Sequence, residues 1–103
     1  MSEAAFHALA EPHRRGILRL LRGQPRSVTE IAEQFDITQQ AVSQHLKVLK
    51  VAGLVTDRAE GTRRVYRLNP AGIAALRDQL ETFWNRALDG YQNVVERPTE
   101  EGS

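Results

Sequence analysis

The stretch from Asp36 to Val55 reads DITQQAVSQHLKVLKVAGLV and decides the fold. Thr38 suits the N-cap of a helix, because its hydroxyl can accept a hydrogen bond from an unpaired N–H of the first turn. Gly53 stands where a left-handed residue commonly ends a helix. An apolar stripe at helical spacing lies between them: Val42, Leu46 and Leu49. The stretch therefore predicts an amphipathic helix that begins after Thr38 and ends before Gly53.

The other face of this predicted helix is polar and has no carboxylate. Its members are Gln39, Gln40, Ser43, Gln44 and Lys47. Amides can pair bidentately with adenine edges, hydroxyls with most bases, and lysine with guanine or phosphate. The face is typical of a helix that reads DNA, and we expect Thr38, His45 and these five residues to meet the nucleic acid. The alternative is that this face is simply solvated, as on an ordinary amphipathic helix. If the helix does read DNA, the way it lies in the groove decides which glutamine contacts a base.

The segment before it, SVTEIAEQF, predicts a short bracing helix. Ser27 and Glu30 form an S-x-x-E capping box, which is a specific start signal. The apolar face consists of Val28, Ile31, Ala32 and Phe35. Asp36 and Ile37 leave only a short connection to the next helix. Two such helices predict a helix-turn-helix, in which the first braces the second in the major groove.

After Gly53 the hydrophobic period changes from helical to alternating. LVTDRA and TRRVYRLN predict two strands, with Glu60-Gly61 as the turn of a hairpin. The hairpin carries Arg58, Arg63, Arg64 and Arg67. Such a wing can reach a minor groove or straddle phosphates. The alternative is that these arginines only keep an exposed hairpin soluble.

The flanking segments predict three more helices. Residues 3–10 form the first helix, and Pro12 fits the first position of the second, HRRGILRLLRG. In the second helix Ile17, Leu18 and Leu21 are expected inside. Arg14, Arg15, Arg19 and Arg22 are expected outside or at its edges. Asn69 and Pro70 begin the last helix as N-cap and first-turn proline.

The last helix carries a longer apolar stripe than so small a body needs to cover itself. We predict that part of it forms a dimer surface with the first helix. The predicted interface residues are Phe6, Leu9, Leu76, Leu80, Phe83, Trp84, Leu88 and Tyr91. Packing within one subunit is the alternative. We expect residues 1–95 to form one domain for DNA binding and dimerisation. We expect the polar residues 96–103 to be a disordered tail.

Charge and composition narrow the class of protein. The 103 residues carry a net charge of only +1, yet residues 11–67 hold a balance of +5 and residues 68–103 one of −3. A basic module beside an acidic assembly helix suits a polyanion-binding protein, although chance clustering would look the same.

The start, MSEAAFHALAEPHRR, lacks the apolar region of a secretion signal, and no run is long enough to cross a membrane. We expect a cytoplasmic protein.

Motifs of catalysis are missing. The sequence has no phosphate loop, no dinucleotide-binding glycine motif, no zinc-hydrolase spacing and no supported Ser-His-Asp arrangement. An enzyme is therefore excluded, and no cofactor is expected. The rival class is a winged helix used only for protein contact.

Three segments together resemble the ArsR-type (arsenical-resistance-repressor-like) family of winged helix-turn-helix regulators. They are ALAEPHRRGILRLL, SVTEIAEQFDITQQAVSQHLKVLKVAGLV and GTRRVYRLNPAG, within residues 4–92. The resemblance implies a mainly α fold with a small β-hairpin, in the order α-α-α-α-β-β-α. It also implies a homodimer joined through the first and last helices and a partly palindromic operator. Repression, often of the regulator's own operon, is the implied outcome.

This sequence lacks the complete ligand sets of the metal sites known in that family. One family site uses cysteines at the start of the helix-turn-helix, and this chain has no cysteine. Another uses Asp and His residues of the last helix, which here keeps Asp78, Glu81 and Asp89 but no histidine. The histidines, His7, His13 and His45, are scattered along the sequence, so no metal site is predicted. Three alternatives remain for the signal that controls DNA binding: a small molecule, a partner protein, or no signal at all.

The mechanism that we expect is therefore binding rather than chemistry. Phosphate contacts are expected from Arg15, Lys47 and Lys50, and flanking or minor-groove contacts from Arg58, Arg63 and Arg64. His45 is expected to buttress its helix or to meet a phosphate.

Overall fold

The computed structural model describes the backbone of residues 2–102 and the side chains of residues 3–92. Its elements are α1 (Ser2–Leu9), α2 (Pro12–Gly23), β1 (Arg26–Ser27), α3 (Val28–Phe35), α4 (Gln39–Val51), β2 (Val55–Glu60), β3 (Arg63–Leu68) and α5 (Pro70–Gly102). The predicted winged helix-turn-helix order is confirmed, with one added strand, β1. The predicted tail, 96–103, lies outside the residues with described side chains, so it stays a prediction. None of the described helices is long and apolar enough to cross a membrane.

The wing is a three-stranded antiparallel sheet in the order β1-β3-β2 rather than a two-stranded hairpin. The hairpin pairs Val55 with Leu68 at one end and Glu60 with Arg63 at the other. On the other side of β3, Ser27 pairs with Val65. A strand of two residues is too short to show an alternating pattern, which is why the sequence does not predict it. The added pairing anchors the wing to the start of α3.

The core lies beneath the helix-turn-helix. The largest fully buried side chains are Ile17, Ile31, Val42, Leu46, Leu49, Leu54 and Val55. Three of them form the predicted stripe of α4, so the inner face of that helix is confirmed. Ile31 supplies the bracing side chain of α3, and Leu76 joins the core from the first turns of α5. Burial of this apolar surface holds α4 in place and leaves its polar face outward.

Arg14 is a correction to the predicted pattern of α2, because its side chain is buried rather than outside. Its Nε donates to the carbonyl of Ala8 at 2.8 Å and its Nη2 to the carbonyl of His7 at 3.0 Å. These carbonyls lie in the last turn of α1, where helical partners run out, and the His7 carbonyl also accepts from the Ala10 N–H at 3.2 Å. A buried guanidinium is tolerated because its donors are used in this way.

The end of α4 is closed by a Schellman motif around Gly53. The Gly53 N–H donates to the Lys50 carbonyl at 2.9 Å, and the Leu54 N–H donates to the Leu49 carbonyl at 3.0 Å. Gly53 has φ +80°, which confirms the predicted left-handed position. Asn69 precedes α5 as predicted, but its side-chain amide donates to the Gly53 carbonyl at 2.9 Å. The start of α5 is thus held against the end of α4.

Gly72 allows this close approach, since a Cβ there would overlap the carbonyl oxygen of Gly53. We expect Gly72→Ala to lower the free energy of unfolding by about 1–3 kcal/mol, the usual effect of forcing an extra carbon into a packed site. Urea unfolding measures it. Gly90→Ala is the matched control on the same helix, because nothing lies within 4 Å of its added Cβ. It should be neutral or stabilising, and equal losses in the two variants would contradict the contact.

Candidate nucleic-acid interface

Local capping sets the position of α4 on the surface. In the predicted capping box, Ser27 Oγ accepts from the Glu30 N–H at 3.3 Å and Glu30 Oε1 accepts from the Ser27 N–H at 2.8 Å. Asp36 then turns the chain with φ +54°. Thr38 Oγ1 accepts from the Ala41 N–H at 3.0 Å, so the predicted N-cap is confirmed. The hydroxyl accepts in the cap and keeps its own O–H donor, so Thr38 positions α4 and still offers an exposed donor.

The predicted base-reading face of α4 is exposed. Its side chains, Gln39, Gln40, Ser43, Gln44 and Lys47, lie opposite the buried stripe. Among the described residues, none of these five side chains makes a hydrogen bond or ion pair with another part of the chain. Their donors and acceptors are therefore available to a ligand. The face carries amides, a hydroxyl and one cation, and no carboxylate lies in α4 to repel phosphate.

His45 does not share this exposed face. Its side chain is only 19% exposed, and its Nδ1 lies 3.8 Å from Glu11 Oε2. Its ring stacks on that of His13, with centroids 5.6 Å apart. Burial lowers the pKa of His45, and the Glu11 carboxylate opposes that shift. His45 therefore buttresses α4 against the start of α2, which is one of its two predicted roles.

The same contacts correct the prediction that the histidines are scattered. His13 and His45 are far apart in sequence, yet the packing of α2 on α4 brings them together. His13 Nδ1 also lies 3.0 Å from Glu11 Oε1. A spacing pattern cannot reveal such a cluster, because its members lie on two helices whose crossing is set by tertiary packing. His7 lies apart from it, beside Lys47 and Val51 between α1 and α4.

The arginines expected at phosphates all have partners within the chain. Arg15 Nη1 donates to the carbonyl of Leu9 at 2.7 Å, close to the end of α1. In the wing, each arginine lies beside a carboxylate: Arg58 with Glu60 at 3.2 Å, Arg63 with Glu30 at 3.9 Å, Arg64 with Asp57 at 3.1 Å and Arg67 with Glu60 at 3.5 Å. The pairs of Arg58, Arg63 and Arg67, whose partners are exposed on both sides, contribute little to stability. They hold the arginines in place and can be exchanged for phosphates at small cost.

Asp57 joins the recognition helix to the wing. Its side chain is only 6% exposed, and its two oxygens lie 2.8 Å from Lys50 Nζ and 3.1 Å from Arg64 Nη1. The hydrogen bond from Lys50 is the main cause that lowers the pKa of Asp57, and Arg64 adds to it. The sequence contains the signal for this position, because Asp57 is two residues after buried Val55 and therefore points to the same side of β2.

This link should show in the pH dependence of stability. The pKa of Asp57 is lowered from 3.8 in the folded chain, so its stabilisation is present above pH 3.8 and is lost as the pH falls through the lower folded value. We expect Asp57→Asn to be less stable than the wild type at pH 7. The difference in free energy of unfolding should shrink below pH 3.8. Urea unfolding across pH tests this, and a difference that does not change with pH would contradict it.

The predicted dimer surface is largely exposed apolar area. Six of its eight side chains are exposed: Phe6, Leu80, Phe83, Trp84, Leu88 and Tyr91. The ring centroids of Phe6 in α1 and Phe83 in α5 lie 6.3 Å apart, so the two helices present one continuous surface. Leu9 is half-buried against the core. Leu76 is 7% exposed and belongs to the core of its own subunit, which removes it from the surface offered to a partner.

Comparisons with known proteins agree with this architecture. A family model described as a helix-turn-helix domain matches residues 9–58. The HTH-type transcriptional regulator Rv2034 of Mycobacterium tuberculosis is 51% identical over 94 residues, which cover 91% of this chain and 88% of that protein. The transcriptional repressor SdpR of Bacillus subtilis is 41% identical over 80 residues, which cover 78% of this chain and 86% of SdpR.

A solved structure supplies the match in three dimensions. It is the homodimeric winged helix-turn-helix DNA-binding domain of Mb0332 from Mycobacterium bovis, described as a possible ArsR-family regulator. It superposes with a TM-score of 0.67 at 33% identity, and the match covers 84% of this chain and 81% of that one. The chain belongs to the ArsR-type family of winged helix-turn-helix transcription regulators.

Proposed function

We propose that the protein is a homodimeric repressor that binds a partly palindromic operator, including one in its own operon, and acts in the cytoplasm. The observation that carries the proposal is the exposed, carboxylate-free face of α4, whose five polar side chains have no partner among the described residues. The likeness to SdpR, named a repressor, supports repression. The homodimeric neighbour supports the assembly.

Two kinds of contact are assigned at the operator, to base edges and to the DNA backbone. Gln39, Gln40, Ser43 and Gln44 are assigned to base edges, because amides and hydroxyls both donate and accept. Lys47 is assigned to a guanine or phosphate beside them. Arg15, Lys50, Arg58, Arg63 and Arg64 are assigned to phosphates or the flanking minor groove, where guanidinium groups bind oxyanions well. Thr38 caps α4 and is assigned, through its own O–H donor, to the DNA beside the first turn, while His45 holds α4 in position.

The dimer sets the spacing of the two recognition helices. When α1 and α5 of two copies pack together, each copy presents one α4 to the DNA. Two such helices reach successive major grooves if they lie about 34–36 Å apart, which is one turn of DNA. The apolar surface around Phe83 and Trp84 supplies the area for this packing. Half-sites about one helical turn apart are the expected consequence.

Arg64→Ala should weaken binding to specific and to random DNA alike, because a phosphate contact carries no sequence information. It should also reduce the slope of log affinity against log salt by about one per lost contact. Titrations at several salt concentrations measure both effects. Arg22→Ala is the control, because this exposed arginine at the end of α2 removes the same charge away from the wing. Equal changes in the two variants would show that only net charge matters.

The proposal is tested by selecting binding sites for the purified protein from random double-stranded DNA. We expect enrichment of one partly palindromic motif, with half-site centres about 10–10.5 base pairs apart. Gln44→Ala protein should enrich a motif with relaxed preference at one position in each half-site. If no motif is enriched while the folded protein stays dimeric, the alternative of a winged helix used for protein contact replaces the proposal.

Control by a small molecule is the second candidate, and a cavity favours it. The cavity measures about 380 Å³ and is lined by Phe6, Asp78, Gln79, Thr82, Phe83 and Arg86, at the seam of α1 and α5. Gln79 Oε1 is buried there without a hydrogen-bond partner among the described residues. A ligand at this seam changes operator binding only if it binds one spacing of the recognition helices better than another.

A further inference from the structure

Three potential ligand groups converge where the start of α2 meets α4. Glu11 precedes α2, His13 lies in its first turn, and His45 lies in the middle of the recognition helix. The Nδ1 atoms of both rings face the Glu11 carboxylate, at 3.0 Å for His13 and 3.8 Å for His45. One ligand atom from each residue lies within 4.8 Å of the other two. No DNA contact assigned above uses Glu11 or His13.

These groups match a known class of metal site. Two imidazole nitrogens and one carboxylate oxygen bind Zn²⁺ in open sites, where water takes the fourth tetrahedral position. Metal–ligand distances of about 2.0–2.2 Å place tetrahedral ligand atoms about 3.3 Å apart. The His13–Glu11 separation is already close to this size. The two imidazole rings stack with their planes 20° apart, so one ring must turn for both nitrogens to point at the same ion. His13 is 43% exposed, which leaves the cluster open to an ion from solvent.

The charges around the cluster have opposite effects on the binding of a cation. Glu11 supplies a negative charge that favours a cation, with one oxygen 3.0 Å from His13 Nδ1 and the other 3.8 Å from His45 Nδ1. Arg14 lies close enough to add a positive charge. Its guanidinium, however, is turned toward the carbonyls of His7 and Ala8, which occupy two of its N–H groups.

We propose that Glu11, His13 and His45 form a binding site for a divalent first-row transition-metal ion, with Zn²⁺ as the probe. The site uses neither cysteines of the helix-turn-helix nor residues of the last helix. A bound ion would tie the start of α2 to the middle of α4, directly beneath the exposed base-reading face. The site does not depend on the proposed DNA binding, and its test needs no DNA.

The test is calorimetric titration of tag-free protein with Zn²⁺. We expect one ion per chain in the wild type. His13→Ala removes a ligand that is 43% exposed and meets Phe35 at the edge of the core, and it should weaken binding at least about tenfold. Glu11→Gln should have a similar effect, and it keeps an oxygen that can accept from the Arg14 N–H. His7→Ala is the matched control, because it removes a histidine outside the cluster and keeps the backbone carbonyl bound by Arg14.

Co²⁺ provides an independent measurement on the same variants. We expect the visible absorption of tetrahedral Co²⁺ in the wild type and in His7→Ala, and its loss in His13→Ala. Circular dichroism confirms that each variant is folded. The proposal is overturned if wild type and His13→Ala bind Zn²⁺ equally, if wild type does not bind it, or if His7→Ala abolishes binding.

Discussion

Replacing Trp84 by glutamate is expected to turn the dimer into a monomer and to abolish tight operator binding. Trp84 is 61% exposed on α5 and makes no ring contact within its own described subunit. A carboxylate buried at a subunit interface without a partner is strongly unfavourable. Loss of the second half-site should lower operator affinity by about 10²–10⁴-fold, because the two recognition helices then no longer bind as a linked pair. Sedimentation equilibrium and mobility shift measure the two effects.

Asn85→Glu is the control for this substitution. It introduces the same charge at an exposed neighbouring position that points away from the apolar stripe. It should leave the protein dimeric and its operator affinity nearly unchanged. If Trp84→Glu stays dimeric at micromolar concentration, α5 does not form the interface. In the wild type, Trp84 is the only tryptophan, so its emission on dilution reports dissociation without any label.

Gln40→Ala and Gln44→Ala are expected to weaken operator binding and to spare random DNA. Both side chains are exposed and have no partner among the described residues, so truncation removes a base contact and little stability. A bidentate contact discriminates by about 1–3 kcal/mol, which corresponds to about 5- to 150-fold in affinity. A dimer loses the contact in both half-sites. Competition titrations with operator and random DNA give the ratio of affinities.

The control for these variants is Gln34→Ala, an exposed glutamine of α3 on the side facing α2. It should change neither affinity. Equal losses of Gln40→Ala or Gln44→Ala on operator and random DNA would assign that glutamine to the backbone rather than to a base. The ratio, rather than the affinity for the operator alone, therefore decides the role of each side chain.

Local signals account for the parts of the fold that the sequence predicts well. The capping box at Ser27 and Glu30, the N-cap at Thr38 and the left-handed Gly53 each depend on a few neighbouring residues, and all three are confirmed. The buried stripe of α4 follows from periodicity alone. Such features are set within one or two helical turns, so they can be predicted before any tertiary contact is known.

Features that depend on tertiary packing could not be predicted in the same way. Arg14 is buried because α1 ends beside it and offers the carbonyls of His7 and Ala8 as acceptors. β1 forms because β3 lies within reach of a two-residue extended segment. The meeting of His13 with His45 depends on how α2 crosses α4. At the interface, the sequence predicted the exposed residues of α4, whereas the carboxylate partners of the wing arginines became visible only once the strands were paired.

The most direct test of the central claim is a mobility-shift titration of the purified protein against the DNA upstream of its own gene, with random DNA as competitor. We expect a tight shift that resists the competitor and saturates at two chains per site. Gln44→Ala should weaken this shift, and Gln34→Ala should not. Binding no tighter than that to random DNA, for this fragment and for any selected motif, would contradict the claim that α4 reads sequence.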